Sequence, residues 1–255
     1  MLFTNLVQAN LKTRFLGKQI EYYTRLESTN SEAWELINVG CDDGTVIITD
    51  HQFLGRGRGG RDWASSPNKS LTFSIILSPK INPEFSNWIS IISSLAIQKA
   101  LNFFSTEVEL KYPNDIMIGQ KKLGGVLCET KVSKEKINHA VVGIGINVNE
   151  QNEDFDPSIQ NTATSLQINS KKLYQKERVL AEILNQFETL IDQFPTNINS
   201  IKSSWEDACN HLNKIITFHN NNEIIKGKFK SLSNSGNAIL EINGKEKEYF
   251  SGEII

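Results

Sequence analysis

The sequence predicts an α+β protein, and three observations lead to this fold class. Apolar, β-branched runs at 71–77 and 139–149 have the length and composition of buried strands. Segments 84–104 and 175–194 repeat apolar residues at the spacing of one buried helical face. From residue 214 onward the chain changes to short strand-like runs separated by Asn, Gly and Ser turns.

This change in composition predicts two domains. We expect residues 1–212 to form the larger, catalytic domain and residues 213–255 to form a small C-terminal β-barrel. Within the second, Asn243-Gly244 between two strand-like runs is a strong hairpin signal. A unit of about 45 residues buries little core of its own, so we expect it to pack against the first domain.

The other elements follow the same rules. Thr29 followed by Glu32 has the spacing of a capping box, which predicts a helix start at Thr29. Further strands are predicted at 20–23, 45–49, 108–112, 116–118 and 123–130, and a further helix at 198–212. The inward stripe of helix 84–104 comprises Trp88, Ile91, Ile92, Leu95, Ala96, Ala100 and Phe103.

Composition excludes several classes of protein. The chain has 255 residues and a net formal charge of −2, which argues against a general nucleic-acid or membrane-surface partner. Its start lacks the apolar core of a secretory signal, and no apolar run reaches the roughly 18–20 residues of a membrane span. Cys41, Cys128 and Cys209 are isolated, so a disulfide framework is not expected. We therefore expect a cytoplasmic protein.

The segment 55–61 reads GRGRGGR and is followed by Asp62-Trp63. Its four glycines allow the backbone to curl closely around a ligand, and its three arginines suit carboxylate and phosphate oxygens. Strand-like runs flank the segment on both sides. We expect it to be an anion-binding loop.

The sequence of this loop also matches two other kinds of binding segment. The segment matches G-x-G-x-x-G, but turn residues at 62–70 follow it where a dinucleotide-binding fold needs a helix. An Arg-Gly segment can also bind single-stranded RNA, and this RNA-binding module remains the alternative from another class. The sequence has no P-loop, no Cys-x-x-Cys and no G-x-S-x-G nucleophile motif.

Glycines and charges also mark the next part of the chain. Gly124 and Gly125 lie in one predicted strand and Gly143 and Gly145 in the next, which predicts a floor with few side chains. Lys122 in a hairpin and Asp115 in a turn add charges without an obvious nucleophile or general base. Such a set fits a reaction that joins a carboxylate to the α-phosphate of ATP by positioning charges.

Several blocks of the sequence together resemble one family. They are GRGRGGRDW at 55–63, KYPND at 111–115, KLGGVLCE at 122–129 and VGIGINVN at 142–149, with STN at 28–30 and TATSL at 162–166. These blocks occur in the order found in biotin–protein ligases, and the resemblance spans essentially the whole chain. The sequence differs from the family pattern at a few positions: many relatives carry Trp at 112 and small residues at 53 and 54, and some carry Arg at 59.

The resemblance implies a mixed β-sheet flanked by helices, similar to class II aminoacyl-tRNA synthetases and to the biotin–lipoate ligase catalytic domain. It implies an enzyme that uses ATP and Mg²⁺ to convert biotin to biotinyl-5′-AMP, then transfers biotin to one lysine of a biotin carboxyl carrier domain. A ligase or transferase for lipoate or octanoate, which shares the architecture, remains the alternative. The chain begins almost directly at the catalytic domain, so we expect no DNA binding; a homodimer remains open.

The resemblance also implies roles for individual residues. Lys122 and Arg58 are the expected catalytic residues, and Asp115 is the expected ligand of Mg²⁺. The expected biotin-binding residues are Ser28, Thr29, Asn30, Gln52, Gly55, Arg56, Gly57, Arg58, Lys122, Gly124, Gly125 and Gly143. The expected ATP- and adenylate-binding residues are Arg56, Arg58, Arg61, Trp63, Asn114, Lys122 and Asn147.

Overall fold

A computed structural model describes residues 1–220 and 223–255, and a mixed sheet forms its centre. The seven strands of this sheet lie in the order β1-β2-β5-β9-β8-β7-β6; β1 and β2 are parallel, and the other neighbours are antiparallel. The sheet strands are β1 (Ile20–Tyr23), β2 (Val46–Thr49), β5 (Leu71–Leu77), β6 (Glu109–Lys111), β7 (Asp115–Ile118), β8 (Lys121–Ser133) and β9 (Lys136–Ile146). Strands β3 (Gly55–Arg56) and β4 (Asp62–Trp63) form a separate two-stranded ribbon.

Helices cover both faces of the sheet. They are α1 (Thr4–Asn10), α2 (Thr29–Val39), α3 (Ser86–Phe103), α4 (Leu166–Ser170), α5 (Lys176–Gln193) and α6 (Ile198–Asp207). The long helices α3 and α5 pack on one face and form the main core with the sheet. On the other face, Ala33 of α2 packs against Ile47, Ile76 and Val141. The predicted mixed sheet flanked by helices is confirmed.

The predicted start of α2 at Thr29 is confirmed, but its predicted capping box and the predicted end of α6 were wrong. Helix α2 is capped by Ser28, whose hydroxyl accepts the Ser31 N–H, so Thr29 is its first residue and no capping box with Glu32 forms. The Glu32 carboxylate instead accepts the hydroxyl of Tyr23 at 2.8 Å. Helix α6 ends at Asp207 rather than near 212, because residues 208–210 turn to hydrogen-bond with Leu110.

The predicted inward stripe of α3 is buried except for Phe103. This side chain is 63% exposed and stacks edge-on against Phe104 at a centroid distance of 5.3 Å. Leu101 takes the buried position at the end of α3. Phe103 is the last residue of the helix, and its side chain lies beyond the part of the helix that packs on the core.

The C-terminal part is a five-stranded antiparallel sheet in the order β13-β12-β11-β10-β14. Its strands are β10 (Ile215–Asn220), β11 (Glu223–Leu232), β12 (Ala238–Ile242), β13 (Lys245–Tyr249) and β14 (Glu253–Ile254). Asn243 and Gly244 have positive φ and form the predicted hairpin turn between β12 and β13. Phe229 of this sheet packs against Tyr112 and Trp205 of the first part. Within the described residues, no helix is long and apolar enough to cross a membrane.

Candidate functional site

The register of the central strands builds the floor of a cleft on the face that carries α2. Residues directly opposite each other in an antiparallel pair point to the same face, so each cross-strand set forms a row. Strands β5, β9 and β8 supply two such rows, Thr72–Gly145–Gly125 and Ser74–Gly143–Leu127.

Two glycines of this floor make room for the chain's own side chains. A Cβ atom at Gly143 would lie 2.3 Å from Oδ1 of Asn30, and a Cβ atom at Gly145 would lie 2.4 Å from the ring of Trp63. Both separations are far below contact distance, so a larger residue would displace the neighbour. The glycine-bearing strands are therefore adjacent as predicted, and part of the floor is covered by the amide of Asn30 and the indole of Trp63.

A neutral polar pocket lies at one end of the cleft. The backbone N–H and the hydroxyl of Thr29 both donate to Oε1 of Gln52, at 2.8 and 3.2 Å. The hydroxyl of Ser74 lies 2.6 Å from Oδ1 of Asn30 and 2.7 Å from Oγ1 of Thr29. All four side chains are buried. This pocket, which we call the amide pocket, offers donors and acceptors to an uncharged polar group.

Glu129 of β8 connects the amide pocket to the glycine–arginine loop. One carboxylate oxygen accepts from Nδ2 of Asn30 at 3.1 Å and from Nε1 of Trp34 at 2.9 Å. The other lies 3.5 Å from the guanidinium of Arg56. Sequence reasoning missed both Glu129 and Ser74, because their roles depend on which strands and helices become neighbours.

The loop at 55–63 is folded back as the β3–β4 ribbon, with Gly55 opposite Trp63. Its three arginines all have protein partners. Arg56 donates to Oγ of Ser31 at 3.2 Å, and Arg58 donates to the carbonyl of Gly252 at 2.6 Å. Arg61 forms an ion pair with Glu253. Two of the three contacts thus join the loop to the C-terminal sheet.

The charged end of the cleft contains Lys122, Asp115 and Asn114. Nζ of Lys122 lies 2.6 Å from Oδ1 of Asp115, and both side chains are partly exposed. The side-chain amide of Asn114 donates to the carbonyl of Val126 at 2.5 Å, which fixes the turn between β6 and β7 next to β8. Among the described residues, no cluster of three or more His, Cys, Asp and Glu side chains could hold a metal ion.

Two groups near the cleft have shifted pKa values, and both shifts keep the group neutral. Burial raises the pKa of the Cys128 thiol to about 12, so it is not a thiolate nucleophile at neutral pH. Burial likewise raises the pKa of the Tyr112 hydroxyl to about 12. Neither side chain therefore supplies an anionic nucleophile at neutral pH.

The structure brings most of the predicted site residues to one cleft. Those that line it are Ser28, Thr29, Asn30, Gln52, Arg56, Gly57, Arg58, Arg61, Trp63, Asn114, Lys122, Gly125 and Gly143. Lining residues that were not predicted are Asp62, Thr72, Val126, Leu127, Ile144 and Gly145.

Four predicted site residues are not part of this lining. Gly55 and Gly124 are packed against neighbouring backbone, and Asp115 forms an ion pair with the lining residue Lys122. Asn147 is buried, and its amide donates to the carbonyl of Thr164 at 3.0 Å. Its expected contact with adenine thus has no support from the lining of the cleft.

Comparison with known proteins gives a consistent result. A family model described as the biotin/lipoate A/B protein ligase family matches residues 22–147. The bifunctional ligase/repressor BirA of Bacillus subtilis is 30% identical over 250 residues, which cover 97% of this chain and 77% of that protein. The biotin–[acetyl-CoA-carboxylase] ligase of Mycobacterium tuberculosis is 23% identical over 260 residues, covering 97% and 94%.

A solved structure agrees with these matches in both sequence and fold. The biotin protein ligase from Aquifex aeolicus, in complex with biotin and ATP, aligns with a TM-score of 0.78 and 30% identity. The alignment covers 93% of this chain and 98% of that one. Because these similarities extend over more than nine tenths of this chain, the chain belongs to the biotin–protein ligase family.

Proposed function

We propose that this protein activates biotin with ATP to biotinyl-5′-AMP and then transfers biotin to a lysine of a biotin carboxyl carrier domain. One observation carries the proposal: a single cleft joins the uncharged amide pocket to Lys122 and the loop arginines. Biotin has an uncharged polar ring system, which suits the amide pocket. Its carboxylate must approach the phosphates of ATP, which suits the cationic side chains.

In the first step, a carboxylate oxygen of biotin attacks the α-phosphorus of ATP, and pyrophosphate leaves with the bonding electrons. Negative charge accumulates where the two anions meet. Lys122 and Arg58, which both line the cleft, would hold these anions together and stabilise the charge of the transition state. Arg56 and Arg61 line the same cleft and would leave their present partners to add further charge.

Mg²⁺ would neutralise the phosphates and support departure of pyrophosphate. One side chain suits this ion, because Asp115 supplies a partly exposed carboxylate, which pairs with Lys122. Mg²⁺ commonly binds one or two carboxylates and completes its shell with phosphate oxygens and water. The proposed ligand is therefore Asp115, with the nucleotide supplying further oxygens.

In the second step, the amine of the acceptor lysine attacks the acyl carbon of biotinyl-5′-AMP. An amide bond forms, the acyl–phosphate bond breaks, AMP leaves and the amine loses a proton. The amine attacks the activated acyl group directly, so this step requires no covalent intermediate on the enzyme. A homodimer and a cytoplasmic location stay predictions.

The test is transfer of radiolabelled biotin from ATP-containing buffer to an isolated biotin carboxyl carrier domain. We expect label on the wild-type carrier domain and none on a variant in which the acceptor lysine is arginine. A parallel reaction contains lipoate or octanoate with a lipoyl carrier domain. Transfer of either of these acids, with no transfer of biotin, would replace the proposal by the lipoate or octanoate alternative.

A further inference from the structure

Two buried polar groups of the cleft have no hydrogen-bond partner in the protein. They are Oγ1 of Thr72 and Nε1 of Trp63. Both residues line the cleft, and Thr72 is only 4% exposed. Because buried donors and acceptors are nearly always paired, two unpaired groups in one cleft need an explanation.

The two groups are placed on the same part of the cleft by their common neighbour Gly145. Thr72 is directly opposite Gly145 in the β5–β9 pair. Nε1 of Trp63 lies 2.5 Å from the place where a Cβ atom of Gly145 would be. Directly opposed Cβ positions in an antiparallel pair are about 4.5–5.5 Å apart. The hydroxyl and the indole N–H therefore approach the same small region of the cleft.

Neighbouring hydroxyl groups on the same sheet do have partners. Ser74, two residues along β5, bonds to Thr29 and Asn30. Thr49, directly opposite Thr72 on β2, donates to the carbonyl of His51 at 3.1 Å. Hydroxyl groups on this sheet therefore do not lack partners in general. Thr72 lacks one because its side chain faces the cleft.

The position also identifies the ligand group. The indole N–H is a donor and the hydroxyl can donate, so together they suit an acceptor atom with two lone pairs. The region lies between Ser74 of the amide pocket and Lys122, whose Nζ is 3.5 Å from the Cβ position of Gly125, opposite Gly145. Between the uncharged ring and the phosphates, the strong acceptor of the proposed substrates is the carboxylate of the acid.

We propose that the Thr72 hydroxyl and the Trp63 indole N–H together bind one carboxylate oxygen of the acid substrate. This inference rests on the proposed function. Two neutral donors hold the carboxylate without transferring a proton to it. One oxygen is fixed, and the other keeps its lone pairs for attack on the α-phosphorus. Thr72 is thereby a substrate-binding residue that sequence reasoning missed.

The test compares Thr72→Val, which keeps the shape and removes the hydroxyl, with Thr72→Ser, which keeps the hydroxyl. Calorimetry measures the Kd of biotin and of an analogue whose carboxylate is replaced by a methyl group. We expect Thr72→Val to raise the Kd of biotin about 10- to 150-fold, the range for one lost hydrogen bond to a charged group. The Kd of the analogue should stay unchanged, and Thr72→Ser should bind biotin nearly as the wild type does.

Thermal unfolding without ligand provides a second readout. Thr72→Val removes an unpaired buried group, so its melting temperature should equal or exceed that of the wild type. The matched control Thr49→Val removes a hydroxyl that already has a hydrogen-bond partner in the protein. This variant should have a lower melting temperature than the wild type and the same Kd of biotin.

Three results would overturn the inference: an unchanged Kd of biotin in Thr72→Val, an equal loss for biotin and the methyl analogue, or a lower melting temperature of ligand-free Thr72→Val. Failure of the wild type to bind biotin at all would instead refute the proposed function, and the inference with it.

Discussion

Replacing Gly145 by alanine tests whether the floor of the cleft positions Trp63. The added methyl group would lie 2.4–2.6 Å from three atoms of the indole, against an optimal carbon–carbon separation of about 3.5–4.0 Å. The ring must therefore move by about 1 Å into the cleft. Overpacking of this kind costs about 1–3 kcal/mol.

The expected consequences are measurable in the same preparation. A cost of about 1–3 kcal/mol corresponds to a melting temperature lower by about 2–12 °C for a chain of this length. If the displaced indole also blocks ligand, affinity for biotinyl-5′-AMP should fall by about 5–150-fold. The tryptophan emission should shift, because Nε1 of Trp63 leaves its buried position.

Gly125→Ala is the matched control, because Gly125 lies directly opposite Gly145. A Cβ atom there would meet the side chain of Lys122 at 3.4 Å, an ordinary contact distance. This variant should keep the emission spectrum and the melting temperature of the wild type. If Gly145→Ala also keeps both, together with an unchanged affinity, the account of the floor as the support of Trp63 is wrong.

Other variants test the charges. Lys122→Ala should lower the rate of pyrophosphate release by about 10²–10³-fold while the protein stays folded, and near-normal release would remove Lys122 from the catalytic residues. Glu253→Gln removes the charged partner of Arg61, so trypsin should cut the ligand-free loop at 55–63 faster than in the wild type. Biotin with ATP should protect this loop. Equal cleavage rates in the variant and the wild type would contradict the contact between Arg61 and Glu253. Burial lowers the pKa of His211 from 6.5 to about 3, so only the unfolded chain binds a proton between these values. The neutral imidazole therefore contributes to the free energy of unfolding above pH 6.5, and this contribution falls toward pH 3 by up to about 1.4 kcal/mol per pH unit. Urea unfolding at pH 7 and pH 4 should show a smaller loss of stability in His211→Gln than in the wild type. An equal loss in both proteins would refute this role of His211.

Much of the fold could be predicted because its signals are local. Helices α3 and α5 carry long apolar stripes, and the Asn243-Gly244 turn specifies its hairpin within two residues. The errors arise where distant segments decide the outcome. Helix α6 ends early because its following residues pair with Leu110, about a hundred residues earlier.

The candidate site divides in the same way. Contiguous motifs led to Arg58, Lys122 and Trp63, which do line one cleft. Thr72 and Glu129 could not be assigned, because their importance follows from strand register and from the approach of α2. One sequence signal was available. Thr72 and Ser74 alternate with apolar residues in their strand, which indicates that one face of the strand borders a polar environment.

The contact between the glycine–arginine loop and the C-terminal sheet has a consequence for measured affinity. Glu253 and the carbonyl of Gly252 occupy the same guanidinium groups that a phosphate would need. If Arg58 and Arg61 bind the nucleotide as proposed, these two groups compete with it, and its apparent dissociation constant exceeds the intrinsic one by the inverse of the fraction of loops that are free. With about one tenth of the loops free, binding would appear about tenfold weaker. On that proposal, contacts with residues some 190 positions away in sequence raise the nucleotide concentration that the reaction requires.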